Sequence, residues 1–523
     1  MKGSVGKYCQ LVSVFLLTVA IASTFALIDI DPHHQGIMFK PALDVAHGQM
    51  LFRDTFTQYG ALTTLLQAWA LRMFGDYLAV IQLQTAFVYG LISLCLWYLW
   101  ARILPNWLTT VSVFIWLSVA PYFDLTFFPW SSVYALFFQL LSLLLLFRAL
   151  ELRNRLVIFF SGMVTVLAFW CRQPVGVFHC FSMIFFLATA PLITRQPWKN
   201  SLTDCMAFVA GIVMSSLPFL LWLYLNNAVH DMYLQSFKLA FFFGVRDSYS
   251  SKELFEHILR SLFPILQDQP DYSNIMWSLP PAVCWSLCAI LGIKFLRKTD
   301  YDKLYLPLYG LTVVSLASWL QYYPASDLRH WYWAATPMFG LVSFCAWHAL
   351  RNKKIQSRVI ITCVVLAAVF GMETARRIFS GYEKIRLAEK MSKELPMVMR
   401  GMLVPPDTAA RYTSMSNVLD SIVRKDPSHT LLYIGTDALY PTFSRQRKNI
   451  HPMYVDWGAY NEFIYPNYLR ERDAYIDVTK PVVLADENMF PPKTGYIKIM
   501  EWTDDANKKL NLYVYSGSNT LHK

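Results

Sequence analysis

The chain has 523 residues, of which 55% are hydrophobic and 16% aromatic, while only 15% are charged. A soluble protein carries about 25% charged residues, and the mean hydropathy here is +0.34. This composition excludes an ordinary soluble enzyme for most of the chain. The formal net charge of +11 does not gather on one clustered basic face, so we expect no nucleic-acid partner.

Apolar segments recur between residues 9 and 372, and most approach the length of about 20 residues that crosses a bilayer. They predict a polytopic α-helical membrane protein with about eleven transmembrane helices. Basic residues concentrate in alternate short loops, beginning with Lys2 and Lys7. Because such residues stay on the cytoplasmic side, we expect a cytoplasmic amino terminus. The predicted helices lie near residues 9–28, 76–98, 108–122, 131–149, 156–171, 175–194, 204–225, 281–296, 304–322, 331–349 and 356–372.

Three longer regions lie on the predicted outer side of the membrane. The first outer loop, 29–75, has apolar residues at helical spacing, which predicts two short amphipathic helices on the membrane surface. A second outer loop covers about 226–280. After residue 375 the composition becomes that of a soluble protein, and four short strand-like runs predict a small α/β domain. We therefore predict a transmembrane domain over 1–374 and an extracytoplasmic domain over 375–523.

An acidic turn follows the first predicted helix directly, with Asp29, Asp31, Pro32, His33 and His34. Carboxylates at a hydrocarbon–water boundary are costly unless they face water, a ligand or a partner. Asp29 and Asp31 are therefore candidates for a general base or a metal-binding pair. The alternative is structural, because polar residues before a proline also end a helix and begin a turn. His33 and His34 point in opposite directions in an extended chain, so at most one would join a metal site; otherwise we expect hydrogen bonds to the carboxylates or to substrate hydroxyls.

Two further outer segments contain candidates for binding a sugar or a phosphate. Arg53 and Asp54 follow an apolar pair in the first outer loop, where the alternative is a solvated ion pair of little energetic value. Arg172 lies in a very short outer turn, whereas most basic residues lie in the predicted cytoplasmic loops. A guanidinium binds phosphate oxygens in a bidentate fork, although contact with lipid headgroups explains this position almost as well.

The last short outer loop contains Asp327, Arg329 and His330 beside several aromatic residues. Arg329 and His330 are candidate phosphate ligands, and Asp327 would neutralise Arg329. Lys238, in the second outer loop, is a further candidate for the same site, although no local sequence pattern distinguishes it. Asp124, at the outer end of the third predicted helix, is a secondary candidate.

Together these segments resemble the GT-C superfamily of integral-membrane glycosyltransferases. The resemblance begins with the acidic turn and continues through the pattern Gly-x-x-Leu-Phe-Arg-Asp-x-Phe-x-x-Tyr-Gly at 48–60, which separates the two surface helices. The Arg-Gln-Pro-x-Gly turn at 172–176 and the Asp-x-x-His loop at 327–330 are similar to later outer loops of the superfamily. Many members have Asp-Glu after the first helix, whereas a proline follows the second aspartate here. Either Asp29 or Asp31 therefore occupies the catalytic position.

The resemblance implies a polyprenyl-phosphate-linked monosaccharide donor, with a hexose such as glucose, and a cell-envelope glycan acceptor such as the O-antigen of lipopolysaccharide. Asp31 or Asp29 would take the proton of the acceptor hydroxyl, which attacks with inversion. Arg172, Arg329 and His330 would neutralise the departing lipid phosphate. Because this leaving group is a lipid monophosphate, the resemblance implies no cofactor and no obligatory metal. It places the protein in the bacterial inner membrane, with the reaction on the periplasmic side.

Two other functions would use the same residues. A transporter or flippase for a lipid-linked sugar would need the phosphate-binding arginines but no general base. The predicted helices carry almost no ionisable groups near their midpoints, which disfavours a proton-driven transporter. An O-antigen polymerase or ligase would instead act on a lipid diphosphate oligosaccharide.

Overall fold

The computed structural model is built mainly from α-helices, which are followed by one small sheet. It describes residues 2–239, 242, 251–267, 272–296, 304–320, 327–351, 356–425, 430–444, 449, 452–490, 493–503 and 507–517. The α-helices are α1 (Lys2–Ala26), α2 (His34–Ala46), α3 (Ala61–Phe74), α4 (Leu78–Trp100), α5 (Asn106–Ser118), α6 (Ser131–Leu152), α7 (Arg155–Cys171), α8 (Gln173–Thr189), α9 (Pro191–Thr194), α10 (Trp198–Leu225), α11 (Val229–Tyr233), α12 (Ser251–Leu262), α13 (Tyr272–Leu296), α14 (Tyr305–Leu320), α15 (Leu328–Ala335), α16 (Phe339–Arg351), α17 (Gln356–Ala388), α18 (Pro406–Lys425), α19 (Ala459–Ile464) and α20 (Tyr468–Thr479). The strands are β1 (Leu431–Ile434), β2 (Val482–Asp486), β3 (Tyr496–Thr503) and β4 (Lys509–Tyr515).

The apolar helices form a multi-pass membrane domain. A helix suits this environment because it pairs its backbone N–H and C=O groups internally, where lipid offers no partner. Each predicted span overlaps a helix, although the tenth, 331–349, is divided into α15 and α16 by a 3-10 turn at Thr336–Met338 that contains Pro337. Among the described residues, six helices are long and apolar enough to cross a membrane, and α7 and α14 are shorter apolar helices. The total of about eleven spans stays a prediction.

The first outer loop contains two helices, α2 and α3, as its spacing predicted. The helix α3 is amphipathic, since Trp69 and Met73 are exposed while Ala68 and Leu71 are buried. The helix α2 is different, because every residue from Gln35 to Val45 is buried. Helix α2 therefore does not lie at the protein surface, as we had predicted it would. Residues of the carboxyl-terminal part pack against it, with Leu439 next to Gly36 and the Tyr454 hydroxyl donating to the carbonyl of Ile37.

The carboxyl-terminal part forms the predicted α/β unit. Its sheet has the strand order β1-β2-β4-β3, in which β1 and β2 are parallel and β4 is antiparallel to both of its neighbours. Helix α17 continues through residue 374, where we predicted a domain boundary. Within α17, the buried side chains of Glu373 and Arg377 pair at 2.7 Å, and Arg376 reaches Asp124 at 2.8 Å. Asp124 therefore belongs to an ion-pair network that joins α17 to the segment after α5.

Backbone hydrogen bonds join the acidic turn to the carboxyl-terminal part of the chain. The N–H of Asp29 donates to the carbonyl of Leu403 at 2.8 Å, and the N–H of Leu403 donates to Leu27 at 2.8 Å. The N–H of Leu439 donates to the carbonyl of Pro32 at 3.1 Å. The turn that contains both candidate aspartates is thus held between α1 and the α/β unit.

We expect Gly36→Ala to loosen this contact. A Cβ atom at position 36 would lie 2.2 Å from the backbone nitrogen of Leu439, and backbone cannot move as a flexible side chain can. Such overpacking costs about 1–3 kcal/mol, so the full chain in detergent should have a lower Tm and a faster proteolysis of the α/β unit. Gly292→Ala in α13 is the control, because a Cβ there meets no atom within 4 Å. Equal Tm values for the two variants would contradict this packing.

Candidate active site

Two Asp-x-x-His turns begin short helices on the same side of the molecule. Asp31 Oδ1 accepts hydrogen bonds from the backbone N–H groups of His33 (3.0 Å) and His34 (2.9 Å), and its Oδ2 lies 2.9 Å from His34 Nδ1. Asp327 Oδ1 accepts in the same way from the N–H groups two and three residues later, at 2.9 and 3.0 Å. Asp327 therefore caps α15, whose first N–H groups have no partner inside the helix, and Asp31 makes the same pair of hydrogen bonds in the turn that leads into α2.

Phe128 connects the two turns. The imidazole of His34 stacks on its ring at a centroid distance of 4.8 Å, and the guanidinium of Arg329 lies 4.0 Å from the ring centroid. Arg329 and Asp31 are close enough to interact electrostatically. The acidic turn and the last outer loop, which are far apart in sequence, therefore meet on one aromatic side chain.

Trp130 extends this aromatic contact toward Arg172. Its ring is 5.6 Å from His330 and 5.4 Å from Tyr59. The guanidinium of Arg172 lies 5.8 Å from the Tyr59 ring centroid and donates a hydrogen bond to the hydroxyl of Ser132. Arg172 therefore belongs to the same cluster as His330, which the sequence placed in a different loop.

The backbone at Gly60 brings Tyr59 to this position. The N–H of Gly60 donates to the carbonyl of Cys171 at 3.1 Å, and a Cβ atom at Gly60 would lie 2.1 Å from the carbonyl oxygen of Trp170. Only a glycine permits this approach, so the 48–60 pattern ends where it meets the turn that contains Arg172.

Asp29 lies on the other side of the acidic turn, beside Lys384, which was not among the predicted site residues. Its φ of 72° is in the left-handed region, and its Oδ2 accepts a hydrogen bond from Thr126 Oγ1 at 3.0 Å. Lys384 donates to the carbonyl of Leu125 at 2.7 Å and interacts electrostatically with both Asp29 and Arg329. Burial lowers the pKa of Lys384 to about 8, although Asp29 acts against this shift.

Asp31 and Asp327 are both ionised at neutral pH. Burial alone would raise the pKa of Asp31, but the hydrogen bond and charge of His34 outweigh it, and the pKa is lowered. Burial would also raise the pKa of Asp327, but interactions with His330 and Arg329 outweigh burial and lower this pKa to about 2. The site therefore combines two carboxylates that keep their charge with several cationic groups.

Three of the predicted site residues lie elsewhere. Arg53 and Asp54 form a bidentate ion pair at 2.8 and 2.9 Å, and Arg53 also donates to the carbonyl of Asn226 at 3.2 Å. Lys238 donates to the carbonyl of Phe463 at 2.7 Å, so its ammonium contacts the α/β unit. Among the residues that the structure describes, these three side chains make no contact with the aromatic cluster, and their role in binding substrate stays a prediction.

His33 contacts the α/β unit, and its ring also lies 4.9 Å from that of His34. Its Nδ1 lies 2.7 Å from the carbonyl oxygen of Thr436 and 3.6 Å from Asp437, which also pairs with Lys508 at 2.7 Å. Burial alone would lower the pKa of His33, but Asp437 and the Thr436 carbonyl stabilise the protonated ring and raise the pKa above its ordinary value of 6.5. His33 is therefore a link between the acidic turn and β1.

Sequence reasoning missed three residues of the cluster: Phe128, Trp130 and Lys384. The first two belong to the run Phe127-Phe128-Pro129-Trp130 just before α6, which looks like an ordinary aromatic belt at the membrane interface. Lys384 lies on a helix with many charged residues, where no local pattern marks one lysine. Across the described ranges, no group of three or more His, Cys, Asp or Glu side chains is arranged to hold a metal ion.

We expect the contact made by His33 to be pH-dependent. Because the pKa of His33 is raised in the folded protein, its contribution to stability is complete below pH 6.5 and is lost as the pH rises through the raised pKa. The Tm difference between wild type and His33→Gln should therefore be larger at about pH 6 than at about pH 9.

His47→Gln is the matched control for that measurement. His47 pairs with Asp76 at 2.7 Å on the exposed surface, where an ion pair contributes little. A Tm difference for His33→Gln that stays constant with pH would contradict the assigned link.

The fold is similar to that of ArnT from Cupriavidus metallidurans. The apo crystal structure has a TM-score of 0.55 and 11% sequence identity, over 96% of this chain and 97% of that chain. The structure bound to undecaprenyl phosphate has a TM-score of 0.57 and 11% identity, over 97% and 98%. No protein-family model and no curated protein sequence matches the chain. A likeness at this identity shows the fold, and this chain accordingly has the GT-C membrane fold of ArnT, which the resemblance in its sequence predicted.

Proposed function

We propose that this protein is a membrane glycosyltransferase that moves a monosaccharide from a polyprenyl-phosphate donor to a glycan. The observation that carries the proposal is the convergence of ionised Asp31 with Arg329 and Arg172 around the segment from Phe128 to Trp130. The shared fold with ArnT, whose structure was determined with undecaprenyl phosphate, supports a lipid-linked donor. We place the reaction on the outer side of the bacterial inner membrane.

The two arginines suit the phosphate of the donor. Among the residues that the structure describes, neither Arg172 nor Arg329 forms an ion pair within 4 Å of a carboxylate. Arg329 faces an aromatic ring, and Arg172 donates to a neutral hydroxyl. A partly buried guanidinium without a carboxylate is costly, and a phosphate would offset this cost through bidentate hydrogen bonds. The same cations would stabilise the charge that develops on the departing lipid phosphate.

An apolar cavity beside the site supports a lipid carrier. It has a volume of about 480 Å³ and lies between α1, α5 and α17, where Phe25, Phe123 and Gly381 contribute to its lining. Lys384 is close to the same place, because its ammonium lies 6.0 Å from the Phe25 ring. We propose that part of the polyprenyl chain occupies this cavity while its phosphate contacts the cations.

Asp31 is our candidate for the general base. The acceptor hydroxyl would attack the anomeric carbon, its proton would pass to Asp31, and the bond from the anomeric carbon to the phosphate oxygen would break with inversion. Asp31 is preferred to Asp29 because it shares its surroundings with Arg329, which would hold the leaving group. Asp29 is the alternative base, since it lies beside Lys384.

We propose a hexose donor such as glucose and an O-antigen acceptor, which rest on the resemblance stated above. Mass analysis of envelope glycans from cells with and without the gene tests both, because it identifies the sugar and its acceptor together. We further propose that no divalent metal is needed, since arginine side chains would neutralise the phosphate. Turnover that EDTA abolishes and Mn²⁺ restores would contradict this.

We expect Asp31→Asn to lower turnover about 10²–10⁴-fold, the usual contribution of a general base, while donor binding is kept. The amide oxygen of asparagine can accept the same two backbone hydrogen bonds as Asp31 Oδ1, so the turn before α2 should persist. Turnover and donor binding by the reconstituted protein are the measurements. Asp76→Asn is the control, because Asp76 pairs with His47 on the exposed surface.

The outcomes of this experiment separate the alternatives. Loss of turnover in Asp29→Asn but not in Asp31→Asn would make Asp29 the base. A flippase would keep lipid transport in both variants and form no glycoside. A polymerase or ligase would accept a lipid diphosphate oligosaccharide in place of the lipid monophosphate monosaccharide.

A further inference from the structure

A second cavity, which is polar, lies at the opposite end of the membrane domain from the candidate active site. It has a volume of about 700 Å³ and lies among α6, α7, α8 and α10. Helix α7 begins at this cavity with Arg155 and ends at Cys171, next to Arg172. At a rise of about 1.5 Å per residue, its length places the two sites about 25 Å apart. The cavity is therefore on the side of the basic loops, which we predict to be cytoplasmic.

Two arginines with different surroundings line this cavity. Arg155 is paired across the cavity, with its Nε 3.1 Å from Asp204 Oδ1 on α10. Arg153 is exposed and adopts a left-handed backbone, with φ of 51°. Within the described part of the chain, the Arg153 side chain has no ion pair or hydrogen bond. With two guanidinium groups and one carboxylate, the charged lining of this cavity has a net positive charge.

The rest of the lining combines amides with apolar side chains. Gln196 and Asn200 add polar groups, while Leu150, Ile158 and Leu187 form apolar walls. Leu156, which also lines the cavity, is 60% exposed, and Trp198 and Leu202, which do not line it, are 59% and 64% exposed. Apolar side chains with this exposure are covered by lipid in a membrane protein, and tryptophan prefers the depth of the headgroups. The cavity therefore lies where lipid headgroups are.

We infer that this cavity binds the headgroup of an anionic phospholipid from the cytoplasmic leaflet. Basic pockets between transmembrane helices on this side of a membrane recognise anionic headgroups. Arg153 would bind the phosphate oxygens directly, and Gln196 and Asn200 would bind headgroup hydroxyls. Asp204 opposes binding, because it occupies the guanidinium of Arg155 and adds a negative charge.

Titration of the purified full chain with single lipids, followed by native mass spectrometry, tests this inference. Phosphatidylglycerol should bind more tightly than phosphatidylcholine, and inorganic phosphate should not displace it. Arg153→Gln should weaken phosphatidylglycerol binding about fivefold, the usual effect of one basic residue near an anionic lipid surface. Because the Arg153 side chain has no described partner, this variant should fold normally.

Two further variants distinguish a site from general charge attraction. Arg148→Gln removes the same charge five residues earlier, on a side chain that pairs with Glu151 at 3.3 Å and does not line the cavity. It should bind phosphatidylglycerol as the wild type does. Asp204→Asn should bind more tightly, since it frees Arg155 and removes a carboxylate. Equal weakening in Arg153→Gln and Arg148→Gln, or weaker binding in Asp204→Asn, would overturn the inference, as would displacement by inorganic phosphate or equal binding of phosphatidylcholine.

Discussion

The contact of Phe128 with His34 and Arg329 is the interaction on which the candidate active site depends. It holds two loops together that are almost three hundred residues apart in the sequence. The imidazole of His34 and the guanidinium of Arg329 lie 4.8 and 4.0 Å from the centroid of the Phe128 ring. A cation near an aromatic face is attracted by the ring quadrupole. Trp130 supports the same two turns, since its ring centroid lies 5.7 Å from that of His34 and 5.6 Å from that of His330. Loss of the Phe128 ring would remove the direct contact that His34 and Arg329 share.

The carboxylates and the cations of the site have different neighbours. Asp31 accepts backbone N–H groups in the turn before α2, and Asp327 accepts them at the start of α15, which positions both carboxylates. Against the effect of burial, the side chains of His34 and His330 lower the pKa values of these carboxylates and keep them ionised. Arg172 and Arg329 are instead supported by aromatic rings and a hydroxyl. Because neither guanidinium forms an ion pair within 4 Å of a carboxylate among the described residues, both keep their capacity to bind an anion. This arrangement suits the phosphate-linked donor that we propose.

The α/β unit contributes to the site although it supplies none of the proposed reacting groups. Leu403 and Leu439 hold the backbone of the acidic turn through hydrogen bonds of 2.8 to 3.1 Å, and His33 lies 2.7 Å from the carbonyl oxygen of Thr436. The same unit covers α2, which explains why that helix is buried. The membrane domain thus provides the cations, while the α/β unit restrains the turn that contains the candidate base.

The sequence by itself determined the membrane class, the positions of the apolar helices and the four strands, because apolar length and alternation are local properties of the chain. It also identified Asp31, Arg172, Arg329 and His330 as charged groups at helix ends, and its resemblance predicted the GT-C fold. Only the tertiary structure decided which of these groups meet. It brought Arg172 and Arg329 to one aromatic cluster, placed Lys238 against the α/β unit, and revealed Lys384 beside Asp29. Contacts between distant segments depend on how helices pack, and no local pattern records that packing.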